Sequence, residues 1–147
     1  MTKEEITELF VKGIDCSQVV AGEFGKETGY DKDTLRKMSA CFGGGMMCGE
    51  TCGAVTGALL VLGLKYGHCR EDGTNQKAIM QAKVVEFKER YAKKYPSTMC
   101  RELLKHDISK PGEMEKVLEE GTMFSYCPCI VEDVIEILNE MIISPKK

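Results

Sequence analysis

The chain is organised around residues 41–67, which read CFGGGMMCGETCGAVTGALLVLGLKYG. Three consecutive glycines, Gly43–Gly45, predict a backbone that turns tightly or approaches another group closely, because glycine reaches positive φ without a Cβ clash. After them, Thr51 is a suitable helix N-cap, and Gly67 stops the following helix after Tyr66. The residues of this helix are apolar around nearly its whole circumference. The pattern therefore predicts a central buried helix.

Cys52 lies in the first turn of this predicted helix. Free backbone N–H groups and the helix dipole favour an anion there, so we expect a lowered pKa for its thiol and more of the reactive thiolate. Gly53 and Gly57 then follow four residues apart on one face. Each costs about 1 kcal/mol relative to alanine in a helix interior. Close approach of another backbone or of an inorganic centre would offset that cost.

Composition restricts the class of protein. The 147 residues carry 20 Lys and Arg against 23 Asp and Glu, mixed along the chain, which is not the clustered basic face of a nucleic-acid-binding protein. The polar, acidic start predicts no signal peptide, and the longest apolar run, residues 58–64, is too short to span a bilayer. No linker divides the sequence. We expect one cytoplasmic domain over residues 1–147, with no membrane or nucleic-acid partner.

Eight cysteines are the most unusual feature of the composition. In a reducing cytosol, so many cysteines favour metal binding or redox chemistry over a disulfide framework. A buried free cysteine also packs as a small apolar side chain, and this explanation is open for any one of them. It explains all eight poorly.

Capping residues and apolar spacing predict the other helices. The first runs from Thr2 to Gly13, the second starts at Asp15 with Cys16 in its first turn, and the third starts at Asp31 with Leu35 and Met38 on its buried face. After the central helix, one helix runs from Thr74 to Tyr95 with Ile79 on its buried stripe, and the next starts at Ser97 or Thr98 with Cys100 in its first turn. The last two cover residues 113–120 and the segment that begins with Cys127 as N-cap. No alternating strand pattern is present. The sequence therefore predicts an all-α bundle of about five to seven helices around the Gly/Ala-rich central helix.

Five cysteines share one position relative to these helices. Cys16, Cys52, Cys100 and the pair Cys127 and Cys129 all lie at predicted helix N-termini. If those ends converge, the thiols form either a redox dithiol or a set of metal ligands. The Cys-Pro-Cys pair can bind one metal or two irons of a cluster, whereas a disulfide within it would be strained and easily reduced.

Other motifs carry less information about function. The cysteine spacing matches neither a zinc ribbon nor a ferredoxin run, and no Gly-Lys-Ser/Thr follows the glycines as in a phosphate loop. His68 is expected to cap the end of the central helix, and His106 to be exposed.

Several separated blocks resemble one known family. They are Asp-Cys-Ser-Gln at Cys16, the Phe-Gly-Gly-Gly-Met loop, Gly-Glu-Thr-Cys-Gly-Ala-Val-Thr-Gly, Gly-Leu-Lys-Tyr-Gly and Cys-Arg-Glu-Leu-Leu. In this order they resemble the redox-active proteins labelled C_GCAxxG_C_C, although the label has Gly-Cys-Ala where this chain has Cys-Gly-Ala. The resemblance implies an all-helical fold and redox or iron–sulfur chemistry. It places the family cysteines on Cys16, Cys52, Cys100, and on Cys127 or Cys129.

Three hypotheses about function follow from these observations. The first is a redox protein that binds an iron–sulfur cluster for electron transfer through Cys16, Cys52, Cys100, Cys127 and Cys129, with Gly43, Gly44, Gly45 and Gly53 against the cofactor. The second is a metal-free thiol–disulfide oxidoreductase or redox sensor, with Cys52 as nucleophile and Cys16 as its partner. The third is a structural zinc site or an inert helical module.

We further expect a redox partner protein, and a homodimer is compatible with the sequence. The roles of Cys41, Cys48 and Cys69 stay open.

Overall fold

The computed structural model describes residues 1–143, which form α-helices joined by short turns. The helices are α1 Lys3–Val11, α2 Cys16–Gly22, α3 Gly25–Thr28, α4 Lys32–Ser39, α5 Gly53–Tyr66, α6 Thr74–Ala92, α7 Cys100–Leu104, α8 Glu113–Glu120, α9 Thr122–Ser125 and α10 Cys127–Leu138. A 3-10 turn covers Ala40–Phe42, and π-type turns cover Gly45–Gly49 and Asn139–Ile143. The described residues contain no strand, so the all-α prediction is confirmed. Residues 144–147 of the predicted domain lie outside the described part.

Short side chains start the first helices as the sequence predicts. At α1, the Thr2 N–H donates to Glu5 Oε2 (2.7 Å) and the Glu5 N–H donates to Thr2 Oγ1 (3.2 Å), which is a capping box. At α2, the Asp15 N–H donates to Gln18 Oε1 (2.9 Å). At α4, the Asp31 carboxylate accepts a backbone N–H from the first turn. Local sequence therefore determines where these helices begin.

The start of α5 differs from the prediction. Cys52, and not Thr51, is the N-cap, and the first helical residue is Gly53. Thr51 instead pairs with Met99 in an isolated antiparallel bridge, and the Cys52 N–H donates to the Thr98 carbonyl at 2.7 Å. This tertiary pairing keeps the backbone extended one residue longer than the capping pattern indicates.

The caps of α7 and α10 also differ from the prediction. The N-cap of α7 is Met99, and the Ser97 hydroxyl accepts the Met99 N–H at 3.0 Å just before the helix begins. The N-cap of α10 is Tyr126, so Cys127 is the first helical residue and Pro128 the second. The preceding helix α9 ends immediately before Tyr126, which already has helical φ and ψ and therefore brings Cys127 into the helix.

Helix α5 lies at the centre of the fold, as predicted. It packs against α2, α6 and α10, and one core cluster extends from Ile6 to Met141. Helix α2 approaches α5 most closely at Gly57, where a Cβ would lie 2.9 Å from the Ser17 carbonyl oxygen. Close approach of another backbone therefore explains this glycine.

Two side chains predicted to be buried are exposed. Met38 in α4 is 40% exposed and Ile79 in α6 is 48% exposed. Helix α6 has 19 residues, but only Phe87 and Tyr91 in its C-terminal half are buried within the helix. Its first half is mostly exposed, so the apolar stripe there is only partly covered. In the described part of the chain, no helix is both long and apolar enough to cross a membrane.

Candidate functional site

The N-terminal ends of four helices meet at a cavity of about 90 Å³. Cys16 is the first residue of α2, Cys52 is the N-cap of α5, Cys100 opens α7 and Cys127 opens α10. All four line the cavity, and each lies within electrostatic range of the other three. One buried water needs only about 10–15 Å³ on a comparable measure, so the cavity has room for a small polyatomic group.

Apolar side chains close the cavity around the sulfurs. Helix α10 contributes Ile130 and Val131, and the loop after α7 contributes Ile108. Met123 from α9 and Phe10 from α1 also line it. A group bound here would therefore be held mainly by sulfur ligands in largely apolar surroundings, with Asp15 as the one charged side chain of the lining.

The four predicted cofactor-binding glycines do not share one environment. Gly44 and Gly53 line the cavity. A Cβ at Gly53 would overlap the Cys16 sulfur, so this glycine lets the first turn of α2 lie against α5. A Cβ at Gly43 would lie 2.6 Å from that of Asp15, and one at Gly45 would overlap Glu50. These last two glycines permit close contact between protein segments.

Burial raises the pKa of every thiol on the cavity. The pKa of Cys52 lies well above its ordinary value, because removal from water outweighs the hydrogen bond from the Ala54 N–H and neighbouring thiols add repulsion. The same cause raises the pKa of Cys16, and raises those of Cys100 and Cys127 to about 12. The prediction that the helix terminus lowers the pKa of Cys52 is therefore wrong, because a buried thiolate loses more in hydration than the dipole returns.

Cys129 lies apart from this group. It is half-buried, does not line the cavity, and its Sγ donates to the Ser125 carbonyl oxygen at 3.4 Å. On a helix, side chains two positions apart point in different directions. The Cys-Pro-Cys motif therefore presents Cys127 to the cavity and turns Cys129 towards Tyr95 and Tyr126.

Sequence reasoning missed the position of Cys48. It lies in the π-type turn before α5, is half-buried, and is within electrostatic range of Cys100. Its spacing from Cys52 gave no signal for this position, because hydrogen bonds from α7 to Gly49 and Glu50 bring Cys48 near Cys100. Cys41 and Cys69 are exposed.

Neither histidine lines the cavity. His68 is exposed just beyond the end of α5. His106 is half-buried, against the prediction, and lies between two carboxylates, with Nδ1 at 2.7 Å from Glu113 Oε2 and Nε2 at 2.9 Å from Glu120 Oε1. These hydrogen bonds raise the pKa of His106. The side chain therefore joins the loop after α7 to α8.

The ligand chemistry of the cavity is that of soft metals. Thiolates are the ligands that select iron–sulfur clusters, zinc and Cu(I). Within residues 1–143, no three His, Cys, Asp or Glu side chains lie close enough to surround one metal ion. Four thiols around one cavity are the number of donors that iron–sulfur clusters take. The donor set therefore suits a metal or cluster cofactor.

The fold and the cavity define a cysteine-rich helical protein with thiols from four helices at one site. The family model described as "Putative redox-active protein (C_GCAxxG_C_C)" matches residues 14–141. The chain belongs to this family, so the resemblance of its motifs is confirmed. Searches of curated proteins and of solved structures gave no match.

Proposed function

We propose that the protein transfers electrons through an iron–sulfur centre bound by Cys16, Cys52, Cys100 and Cys127. The observation that carries this proposal is the meeting of these four thiols at one cavity. Four cysteine thiolates are the usual ligand set of such clusters. The redox activity in the family description agrees with this chemistry.

The chain's own residues would hold and shield the centre. Four helix N-termini orient the sulfurs, and the apolar side chains of Ile108, Ile130 and Val131 restrict water. Burial and hydrogen bonding to the sulfurs are the means by which a protein adjusts the potential of such a cluster. When bound, the centre would supply reversible one-electron chemistry that the side chains of this cavity lack.

The two other hypotheses receive less support. A thiol–disulfide enzyme with Cys52 as nucleophile needs an accessible thiolate, but Cys52 is buried and its pKa is raised. A structural zinc ion needs ligands at about 2.0–2.3 Å around one point. The described residues contain no such grouping.

The proposal includes a partner protein that exchanges electrons with the centre, and a cytoplasmic location. The eight cysteines are free in the structure. Free thiols persist in a reducing compartment, where metal binding and redox chemistry are their usual roles.

Anaerobic purification with iron, zinc and acid-labile sulfide analysis and a visible spectrum tests the proposal. We expect iron and sulfide in matched amounts. Cys→Ser at each of positions 16, 52, 100 and 127 should abolish the visible absorption, whereas Cys129→Ser should keep it. Cys129 is a close control, because it lies two residues from Cys127 but outside the cavity.

Absence of iron and sulfide after reconstitution would refute the proposal. Zinc alone would favour the structural hypothesis. Loss of the cluster in Cys129→Ser as complete as in Cys127→Ser would show that the cavity does not define the ligand set.

A further inference from the structure

The turn before α5 has an unusual backbone. Gly44, Gly45, Met46 and Met47 are consecutive left-handed residues, with φ of 62°, 63°, 59° and 62°. A left-handed conformation costs about 1–2 kcal/mol for each residue with a side chain. Surrounding contacts must hold such a conformation, and residues of this kind cluster at functional sites.

One hydrogen bond closes this turn, and two others hold it against the start of α7. The Glu50 N–H donates to the Gly45 carbonyl at 2.9 Å and closes the turn. The Cys100 N–H donates to the Glu50 carbonyl at 2.7 Å, and Arg101 Nε donates to the Gly49 carbonyl at 2.9 Å. The turn is therefore fixed to α7 at Gly49 and Glu50, the two residues that follow Cys48.

This arrangement brings Cys48 and Cys100 to the same residue, Gly45. Cys48 Sγ donates to the Gly45 carbonyl at 3.5 Å, and a Cβ on Gly45 would lie 2.8 Å from the Cys100 Cβ. Both cysteines therefore contact Gly45, and they lie within electrostatic range of each other.

The two thiols differ in access to solvent. Cys48 is half-buried and follows the exposed Met46 and Met47, the latter 76% exposed. Cys100 is only 8% exposed and faces the cavity. A reactant from solution would therefore meet Cys48 before it could meet Cys100.

We propose that Cys48 and Cys100 form a thiol–disulfide exchange site for external disulfides, with Cys48 as the attacking and Cys100 as the resolving cysteine. The Cys48 thiolate attacks one sulfur of R–S–S–R, forms the mixed disulfide Cys48–S–S–R and releases the first R–S⁻. The released R–S⁻ takes the proton of the Cys100 thiol, and the Cys100 sulfur then attacks the Cys48 sulfur, forms the Cys48–Cys100 disulfide and releases the second R–S⁻, which takes up the proton that Cys48 had given to water. Two electrons and two protons pass from the protein dithiol to the external disulfide, giving two R–SH.

This site is separate from the proposed centre except for Cys100. Exchange belongs to the metal-free protein, because a Cys100 sulfur in a disulfide is no longer a metal ligand. Cys48 does not line the cavity and plays no part in the proposed ligand set. Disulfide mapping of metal-free protein and iron analysis of anaerobic protein therefore test the two proposals independently.

The test uses reduced, metal-free, full-length protein and oxidised glutathione, followed by alkylation and peptide mapping by mass spectrometry. We expect a Cys48–Cys100 disulfide in the wild type. Cys100→Ser should retain glutathione on Cys48, and Cys48→Ser should leave Cys100 unmodified. Cys129 provides an internal control, because it is also half-buried and also donates to a backbone carbonyl, yet should gain glutathione without an internal disulfide.

The disulfide map of the wild-type protein decides the outcome, so the test does not depend on whether a variant folds. Glutathione retained on Cys48 with Cys100 still reduced would overturn the proposal. Pairing of Cys100 with Cys16, Cys52 or Cys127 in place of Cys48 would also overturn it. Circular dichroism of Cys100→Ser establishes that glutathione retained on Cys48 reflects the missing resolving thiol in a folded protein.

Discussion

Gly57→Ala tests whether the close contact of α2 with α5 holds the site together. A Cβ at position 57 would lie 2.9 Å from the Ser17 carbonyl oxygen and 3.2 Å from the Ser17 Cα, so the backbone of α2 must move. Cys16, the residue before Ser17, would move with it. We expect both the stability of the protein and its iron content to fall.

The magnitude follows from two opposing effects. Forcing a methyl group into a packed contact costs about 1–3 kcal/mol. Alanine favours a helix interior over glycine by up to about 1 kcal/mol. We therefore expect a net loss of about 0–2 kcal/mol in the free energy of unfolding for Gly57→Ala.

Gly63→Ala is the matched control in the same helix. A Cβ at Gly63 meets nothing within 4 Å, so only the gain in helix propensity should be seen. Urea denaturation with linear extrapolation measures both free energies of unfolding. Because the propensity gain is common to both, the difference between the variants should equal the overpacking cost, about 1–3 kcal/mol. Equal stabilisation by the two substitutions would refute the close contact of α2 and α5.

Two further predictions concern hydrogen bonds on the surface of the fold. Protonated His106 binds Glu113 and Glu120, and its raised pKa means that this stabilisation is complete below its ordinary pKa of about 6.5 and is lost as the pH rises through the raised value. NMR titration should show that raised pKa, and an unshifted imidazole would contradict the contact. His106→Ala should remove the pH dependence of the protection of the α8 amides, measured as exchange rates relative to those of an unfolded chain at the same pH. Tyr95→Phe removes the hydroxyl that donates to the Asp133 carboxylate. We expect the free energy of unfolding to fall by only about 1 kcal/mol, because the carboxylate is partly exposed and water can replace part of the lost hydrogen bond. Thermal or urea unfolding measures this change, and an unaltered stability would show that water replaces the hydroxyl without loss.

The sequence predicted those parts of the fold that depend on neighbouring residues. Thr2 with Glu5, and Asp15 with Gln18, specify helix starts through contacts three residues apart. The apolar circumference of α5 indicated its central place, because such a helix has no face to present to water. Cysteines at helix starts came together because the N-terminal ends of α2, α5, α7 and α10 meet.

The parts that were missed depend on distant contacts. The bridge between Thr51 and Met99 shifts the start of α5, and no local pattern encodes it. The pKa of Cys52 depends on how completely other helices cover it, which the dipole argument omits. Ile79 lies on a helix stripe that looks buried, but packing from other elements leaves it 48% exposed.

The cavity joins parts of the chain that are far apart in sequence, since Cys16 comes from the second helix and Cys127 from the last long one. In an unfolded chain these sulfurs are separated, and gathering them costs loop-closure entropy that grows slowly with length. Any group that bridges all four therefore binds the native state alone and shifts the folding equilibrium by mass action. During synthesis, a nascent chain that lacks α10 offers three of the four thiols. A group that binds all four thiols would therefore complete its binding only after residues 127–138 have left the ribosome and packed, and an occupied site would indicate that α2, α5, α7 and α10 have all folded.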